Sequence, residues 1–261
     1  MKRCFLVFLY VFLSTVHAQE VLLNFPIEGR QGDTAPVLQK ISSPGAVNLL
    51  LIPGGNAGTG ELVNGIPSSL NFLVRSREDF HAAGLNTFIL FRAKSVAPGP
   101  MSTTYRNTKE HLAEIRALFN HIVSSTEGPI FLVGTSMGTI SATQGAINLD
   151  HPRLKGLLLT ASVTKVAPGN LATQNLKGIK MPVMMVHHES DQCFACVPKE
   201  AKELSNGFVS ASSTEFFMVS GGGPAVGDPC QNQHWHGFIG IEKSVTSLAI
   251  DWIKRKSAVV P

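Results

Sequence analysis

Six stretches of consecutive apolar residues occur along the chain, each bounded by polar or turn-forming residues. They lie at 47–53, 87–92, 129–133, 154–160, 182–187 and 214–219. These runs are continuous, whereas a sheet with one face in water shows alternating apolar and polar positions. Continuous runs of this length are typical of strands that are covered on both faces in a parallel sheet. The six runs therefore predict the core strands of such a sheet.

Helical patterns occupy the intervals between these runs. Helices are predicted over 69–83, 105–124, 137–149 and, as the last element, from about 238 to 254. The segment 20–42 is interrupted by Gly29, Gly32 and Pro36, and it predicts an antiparallel hairpin at one edge of the sheet. Alternation of strands and helices predicts an α/β fold with a doubly wound, mostly parallel sheet.

The first eighteen residues have the layout of a secretory signal peptide. Lys2 and Arg3 precede an apolar segment at 5–13, which is shorter than the roughly 20 residues needed to span a bilayer. The Val-His-Ala sequence at 16–18 matches the small-residue pattern of a cleavage site. We therefore expect an exported protein, periplasmic or secreted, in which residues 19–261 form a single domain without a membrane segment.

The charge balance gives little indication of a charged partner. The chain has 22 Lys and Arg against 18 Asp and Glu, a net charge of +4, and removal of Lys2 and Arg3 reduces it to +2. The basic residues at 254–256 are most simply a solvated tail, because a nucleic-acid-binding protein usually has a far larger basic face. No nucleic-acid partner is expected.

A Gly-x-Ser-x-Gly pentapeptide lies between a predicted strand and a predicted helix. It spans 134–138, with Ser136 at its centre and Gly134 and Gly138 at its ends. In this context the serine sits on a strained turn that exposes its Oγ at the carboxyl edge of the sheet. The glycines leave room for neighbouring backbone at that turn. The alternative interpretation is an ordinary glycine-rich turn with a serine that caps the helix. The strand–turn–helix context favours a nucleophile instead.

An oxyanion hole needs two backbone N–H donors. The residue after the nucleophile, Met137, supplies one in this kind of site. The loop Pro-Gly-Gly-Asn at 53–56 follows an earlier predicted strand, and we expect Gly55 or Asn56 to supply the other. The sequence alone leaves open which of the two donates.

A serine hydroxyl needs a base, and the base needs an orienting acid. Asp191 follows the predicted strand at 182–187, and His236 follows the strand at 214–219, immediately before the last helix. This is the chain order Ser, acid, His that accompanies such a pentapeptide in one known arrangement. We predict Asp191 as the acid and His236 as the base.

Other polar side chains compete for these roles. Glu189 ranks second as the acid, and His234 is the serious rival to His236. His187 and His188 end a strand and are expected to pack or to line the pocket. Asp150 and His151 belong to the opposite side of the sheet, and Asp228 is expected to form a turn.

The stretch His-His-Glu-Ser-Asp-Gln-Cys-Phe-Ala-Cys at 187–196 also admits a zinc or redox interpretation. A structural zinc site would consume His236, the best base for Ser136. A redox Cys-x-x-Cys motif belongs at the start of a helix that follows an early strand, whereas this stretch lies in a late loop. Export favours a disulfide, and we predict Cys193 to Cys230, with Cys196 to Cys230 left open. We expect no metal.

Together, the pentapeptide at 134–138, the loop at 53–56, the acid loop at 187–191 and His-Gly-Phe at 236–238 resemble the α/β-hydrolase superfamily. The resemblance covers essentially all of 20–255, and in size the chain is similar to exported bacterial dienelactone-hydrolase-like proteins. It departs from dienelactone hydrolases themselves in having Ser instead of Cys as nucleophile. The short segment at 161–181 leaves little room for the large helical lid of many lipases.

The resemblance implies a serine hydrolase that cleaves small carboxylic esters through an acyl-enzyme, without a cofactor. A peptidase or amidase would use the same triad, and a non-catalytic binding protein would use the same fold. The fold does not choose among these functions.

Overall fold

The computed structural model describes residues 19–97, 99, 101–165 and 169–258. The predicted signal peptide at 1–18 lies outside the described residues. Within them the strands are β1 (Val21–Pro26), β2 (Thr34–Lys40), β3 (Asn48–Ile52), β4 (Leu62–Val63), β5 (Ile66–Pro67), β6 (Asn86–Leu90), β7 (Ile130–Thr135), β8 (Leu154–Thr160), β9 (Val183–His188) and β10 (Thr214–Val219). The helices are α1 (Phe72–Arg75), α2 (Arg77–Ala82), α3 (Thr103–Arg106), α4 (Lys109–Ser125), α5 (Gly138–Asn148), α6 (Pro198–Ser205) and α7 (Glu242–Ser257).

Eight of the described strands form one sheet in the order β1-β2-β6-β3-β7-β8-β9-β10. The six strands from β6 to β10 in this order are parallel to their neighbours, and β2 pairs antiparallel with both β1 and β6. The predicted N-terminal hairpin therefore forms the antiparallel edge. The mostly parallel, doubly wound sheet that the apolar runs predict is confirmed.

Helices cover both faces of this sheet. Side chains of α4, α5 and α6 pack in one apolar cluster against one face, and α1, α2 and α7 contribute to a second cluster against the other. Trp252 of α7, for example, packs edge-on against Phe131 of β7, with 5.7 Å between ring centroids. Burial on both faces explains why the core strands read as continuous apolar runs.

Two predicted helices are each divided in two. The segment predicted at 69–83 forms α1 and α2, separated at Ser76, and the one predicted at 105–124 contains the end of α3 and most of α4. At the second break, the Thr108 side chain accepts a hydrogen bond from the N–H of His111 and caps α4. A capping side chain satisfies the free N–H groups of a new helix, so the division costs little.

Other elements differ from expectation at the periphery. The sequence did not predict α6 or the β4–β5 hairpin, and α7 begins at Glu242, after a short 3₁₀ turn at Trp235–Gly237. Strand β10 is an edge strand and is only partly buried. In the described part of 161–181, the chain forms two short 3₁₀ turns.

None of the helices in the described ranges combines the length and the apolar character needed to cross a membrane.

Candidate active site

Ser136 lies at the carboxyl end of β7, directly before α5. Its backbone is in the left-handed region, with φ of 53°. Its N–H donates to the carbonyl of Thr160 in β8 at 2.9 Å, which fixes the turn against the next strand. A non-glycine residue in this region is strained by about 1 kcal/mol, and such strain concentrates at functional sites. The turn is the sharp strand-to-helix bend that the pentapeptide predicts.

The two glycines of the pentapeptide have the steric role predicted for them. A Cβ on Gly134 would lie 2.5 Å from the carbonyl oxygen of Gly138. A Cβ on Gly138 would overlap the carbonyl oxygen of Ile52, the last residue of β3. Each glycine therefore permits a close backbone approach that brings α5 and the end of β3 beside Ser136.

Asp191, His236 and Ser136 form a hydrogen-bonded chain. Nδ1 of His236 lies 2.8 Å from Oδ2 of Asp191, and Nε2 lies 2.9 Å from Oγ of Ser136. Both His236 and Asp191 are buried. Oδ1 of Asp191 accepts a second hydrogen bond from the N–H of Cys193 at 2.9 Å, which orients the carboxylate. Since the carboxylate accepts from Nδ1–H, Nε2 is left free to accept the serine proton.

The rival acid and base side chains are directed elsewhere. Glu189 is exposed. Nε2 of His187 accepts from the N–H of Ser162 at 2.7 Å, and burial lowers the pKa of His187 to about 3, too low for a base that removes a serine proton. Nε2 of His188 contacts the carbonyl of Gly221 at 2.8 Å. The ring of His234 packs edge-on against Trp235.

Among the sequence-predicted competitors, Asp228 forms the expected turn, because its side chain accepts from the N–H of Cys230 at 2.8 Å. Asp150 and His151 follow α5 and precede β8, at the amino edge of the strands. The candidate triad lies at the carboxyl edge, so these two residues are remote from it.

A disulfide joins the loop that carries Asp191 to the loop that carries His236. Cys193 is bonded to Cys230, with an S–S distance of 2.04 Å. Cys196, the alternative partner, is a free and buried thiol whose pKa is raised by burial and by the nearby Asp191. The acid and base loops are therefore covalently linked beside the triad.

One group in the described part of the chain resembles a metal-ligand set. Donor atoms of Cys193, Cys196 and His236 lie within 4.8 Å of one another. However, the sulfur of Cys193 is bonded in the disulfide, and both ring nitrogens of His236 are hydrogen-bonded. To bind zinc, a cysteine must offer a free thiolate and a histidine must offer a ring nitrogen with an available lone pair. This donor set fits a metal poorly.

An open cavity of about 760 Å³ lies over Ser136. Its walls include His236, the 53–56 loop and Met137, together with the half or more exposed apolar side chains of Leu70 and Phe194. This volume is in the range of sites for small organic ligands. The arrangement places a nucleophile, a base and apolar contact surface in one accessible cavity.

The candidate oxyanion loop follows β3 and lies directly beside the nucleophile. A Cβ on Gly54 would be 2.6 Å from the Cβ of Ser136, so the loop approaches as closely as glycine permits. Gly55 and Asn56 follow at the cavity wall, and Met137 follows Ser136. Both predicted donor segments are thus adjacent to the Ser136 side chain.

The sequence interpretation missed one polar side chain that contacts this loop. Arg106, at the end of α3, is completely buried and donates to the carbonyls of Pro53 and Gly55. An arginine in a segment with helical periodicity is usually a surface residue, so its position gave no signal. His111, in the same predicted helix, is also buried.

Solved structures with a similar fold include an esterase of Pyrococcus furiosus, which is 12% identical with a TM-score of 0.63, the match covering 92% of this chain and 94% of the esterase. A cold-adapted esterase from an Arctic intertidal metagenomic library is 14% identical with a TM-score of 0.63, over 94% of this chain and 96% of its own. Dienelactone hydrolase from Anabaena variabilis is 13% identical with a TM-score of 0.57, over 92% and 99%.

No protein-family model matches the sequence, and no curated protein sequence matches it either. The structural matches nevertheless cover nearly the whole of both chains. The mostly parallel eight-stranded sheet described above therefore has the same overall fold as these proteins. The chain has the α/β-hydrolase fold.

Proposed function

We propose that the protein is a serine hydrolase that cleaves carboxylic esters of small molecules. The observation that carries the proposal is the chain of hydrogen bonds from Ser136 to His236 to Asp191 at the wall of an open cavity. A serine linked to a buried imidazole–carboxylate pair is the arrangement that activates a hydroxyl for acyl transfer. The similar structures that are named as esterases favour ester cleavage over other acyl transfers.

In the proposed mechanism, Oγ of Ser136 attacks the ester carbonyl carbon while Nε2 of His236 takes its proton. The carbonyl oxygen becomes an oxyanion, which accepts hydrogen bonds from the N–H of Met137 and from that of Gly55 or Asn56. The imidazolium, stabilised by Asp191, protonates the leaving alcohol. Water, deprotonated by His236, then attacks the acyl-enzyme and releases the acid, which restores the Ser136 hydroxyl. No cofactor takes part in these steps.

We further propose that the protein is exported to an oxidising compartment, periplasmic or extracellular. The disulfide between Cys193 and Cys230 supports this location, because disulfides persist in such compartments and are rare where thiols are kept reduced.

The test of the function is labelling of the purified protein with a fluorophosphonate, followed by mass spectrometry of the modified peptide. We expect label on Ser136, and none on the Ser136→Ala control. A panel of p-nitrophenyl esters and matched anilides then separates an esterase from an amidase. Absence of label on the folded, oxidised protein would contradict the hydrolase proposal and favour a binding protein with this fold.

Replacing Asp191 by Asn is expected to lower kcat by about 10⁴-fold, because an amide neither stabilises the imidazolium nor holds the Nδ1–H tautomer. Steady-state kinetics on an active ester measure the loss. The matched control is Glu189→Gln, which removes the charge of an exposed carboxylate two residues away. If Glu189→Gln lost as much activity as Asp191→Asn, the assignment of Asp191 as the acid would be wrong.

The disulfide is expected to stabilise both the fold and the site. It closes a loop between residues 37 apart, and such a cross-link contributes about 3 to 4 kcal/mol by the chain-entropy estimate. The double variant Cys193→Ser/Cys230→Ser should unfold roughly 10 °C lower in a thermal scan. A reducing agent should lower the melting temperature of the wild type only. An equal response of the double variant would show that the agent acts elsewhere.

A further inference from the structure

Arg106 is the one described arginine with no exposed surface, and it lies beneath the 53–56 loop. Its Nη2 donates to the carbonyls of Pro53 and Gly55, at 3.1 Å each, and its Nη1 donates to Oγ of Ser141 at 3.0 Å. Its Nε donates to the carbonyl of Met101 at 3.3 Å. A planar guanidinium with several donors in fixed directions holds such a loop more rigidly than a single ammonium would.

These contacts determine the direction of two of the loop's N–H groups. In a planar trans peptide the C=O and the following N–H point in opposite directions. When Arg106 holds the carbonyls of Pro53 and Gly55, the N–H groups of Gly54 and Asn56 point away from Arg106. The carbonyl of Gly55 is fixed a second time by the N–H of Met101 at 3.1 Å. The directions of these two N–H groups, one of which belongs to the candidate donor Asn56, therefore depend on Arg106.

A second set of hydrogen bonds holds Arg106 in place. Since arginine can only donate hydrogen bonds, Ser141 Oγ accepts from it. The Ser141 hydroxyl then donates its own hydrogen bond to Nε2 of His111, 2.8 Å away. Nδ1–H of His111 then donates to Oε2 of Glu114 at 2.7 Å. Tyr105 donates its hydroxyl hydrogen to the other oxygen of Glu114. The three hydrogen bonds that link Arg106, Ser141, His111 and Glu114 are all donated in one direction, from the Arg106 cation to the Glu114 anion.

Both ends of this chain keep their charge at neutral pH. Burial lowers the pKa of Arg106 to about 9, which still leaves it protonated. Burial opposes ionisation of Glu114, but hydrogen bonds from His111, Tyr105 and Arg30 outweigh it and lower the pKa of that carboxyl. The Glu114 carboxylate is paired directly with Arg30 at 2.5 Å, and its negative charge in turn favours the protonated form of Arg106.

The Ser141–His111–Glu114 group has the contacts of a catalytic triad but cannot act as one. All three side chains are buried in the described structure, and none lines the cavity over Ser136. The Ser141 oxygen is also occupied by the guanidinium of Arg106. The group is therefore an anchor for Arg106.

We propose that Arg106 is a positioning residue for the oxyanion hole, which holds the 53–56 loop so that its N–H donors face the oxyanion formed at Ser136. The proposal rests on the hydrolase function proposed above. Loss of this restraint weakens binding of the oxyanion more than binding of the uncharged ester. Its signature is a lower kcat with little change in KM.

The test compares the full-length Arg106→Lys variant with wild type in turnover of a p-nitrophenyl ester. Each rate is divided by the concentration of active sites, which is the amount of Ser136 that a fluorophosphonate labels at completion. We expect kcat to fall by about 10- to 100-fold, the range for a misplaced catalytic group, and KM to change by less than about 3-fold. A trifluoromethyl ketone, which forms an oxyanion adduct with Ser136, should lose affinity in the same proportion as kcat/KM.

The matched control is Arg153→Lys. Arg153 likewise donates to backbone carbonyls, those of Val123, Thr126 and Gly128, but at the amino edge of the sheet. It should lose stability without a change in kcat per labelled site. If Arg106→Lys does not fold, the Ser141→Ala variant tests the proposal instead. It removes the Ser141 hydroxyl that accepts from Arg106, and it should lower kcat by about 3- to 10-fold.

The outcomes separate the two proposals. A wild-type protein that turns over the ester, with folded variants of unchanged kcat and unchanged ketone affinity, would overturn the role of Arg106 alone. A wild-type protein that is neither labelled nor active would overturn the hydrolase function and the positioning role with it.

Discussion

Replacing Ser136 by Gly is expected to abolish turnover and to make the protein more stable. Loss of the nucleophile should lower kcat by about 10⁶-fold, the cost of removing the serine of a triad. Glycine adopts the left-handed region freely, so the φ of 53° at this position no longer carries strain. The relief is worth about 1 kcal/mol, or a melting temperature roughly 2 to 4 °C higher for a chain of this size.

The control is Ser136→Ala, which removes the same hydroxyl but keeps a Cβ in the left-handed region. It should lose as much activity as Ser136→Gly while gaining none of the backbone stabilisation. Thermal unfolding and ester turnover of the three proteins test both parts. A glycine variant no more stable than the alanine variant would mean that the turn holds no strain, and activity in either variant would remove Ser136 as the nucleophile.

The core strands could be predicted from the sequence because strands that are buried on both faces consist almost entirely of apolar residues. Strand β8, predicted at 154–160, has those bounds, and β7 and β9 differ from prediction by at most two residues at an end. Both faces of these strands are covered, so apolar residues continue without alternation. Edge strand β10 is only partly buried, although its residues are mostly apolar, because position in the sheet is not a property of the strand's own sequence.

Helix division was harder to predict for a local reason. Ser76 and Thr108 are polar residues of the kind that helices accommodate on an exposed face. Thr108 instead caps α4 through its side chain, and Ser76 separates two short helices. Whether such a residue caps a helix or points into water depends on the path of the chain that precedes it.

The candidate triad could be predicted because chain order and strand ends suffice to place it. Side chains that follow parallel strands meet at one edge of the sheet, so Ser136, Asp191 and His236 needed only their positions after β7, β9 and β10. The choice between Cys193 and Cys196 could not be made this way. Both lie in the same loop, and only the folded path directs Cys193 to Cys230.

Arg106 was beyond prediction because its role depends on contacts with distant parts of the chain. It reaches back to the 53–56 loop and forward to Ser141 in α5. Sequence periodicity distinguishes the buried face of a helix from the exposed one, but it does not identify a buried charge whose compensation comes from other elements. Such a residue becomes visible only when its hydrogen bonds are counted.

Replacing His236 by Gln is expected to lower kcat by about 10⁶-fold, as much as loss of Ser136, because the two act as one unit. Glutamine keeps a polar group near Oγ of Ser136 but cannot accept and return a proton at neutral pH. The double variant Ser136→Ala/His236→Gln should be no less active than either single variant. Steady-state kinetics on one ester give all three values.

The matched control is His234→Gln, two residues away. His234 is also buried, but its ring packs against Trp235, and the structure gives it no contact with Ser136 among the described hydrogen bonds. This variant should keep kcat within about 3-fold of wild type, with any effect seen in stability. The reverse result, an active His236→Gln and an inactive His234→Gln, would exchange their roles. Among the described side-chain hydrogen bonds, Asp191 is bonded to His236 and not to His234, so that result would also remove Asp191 as the acid.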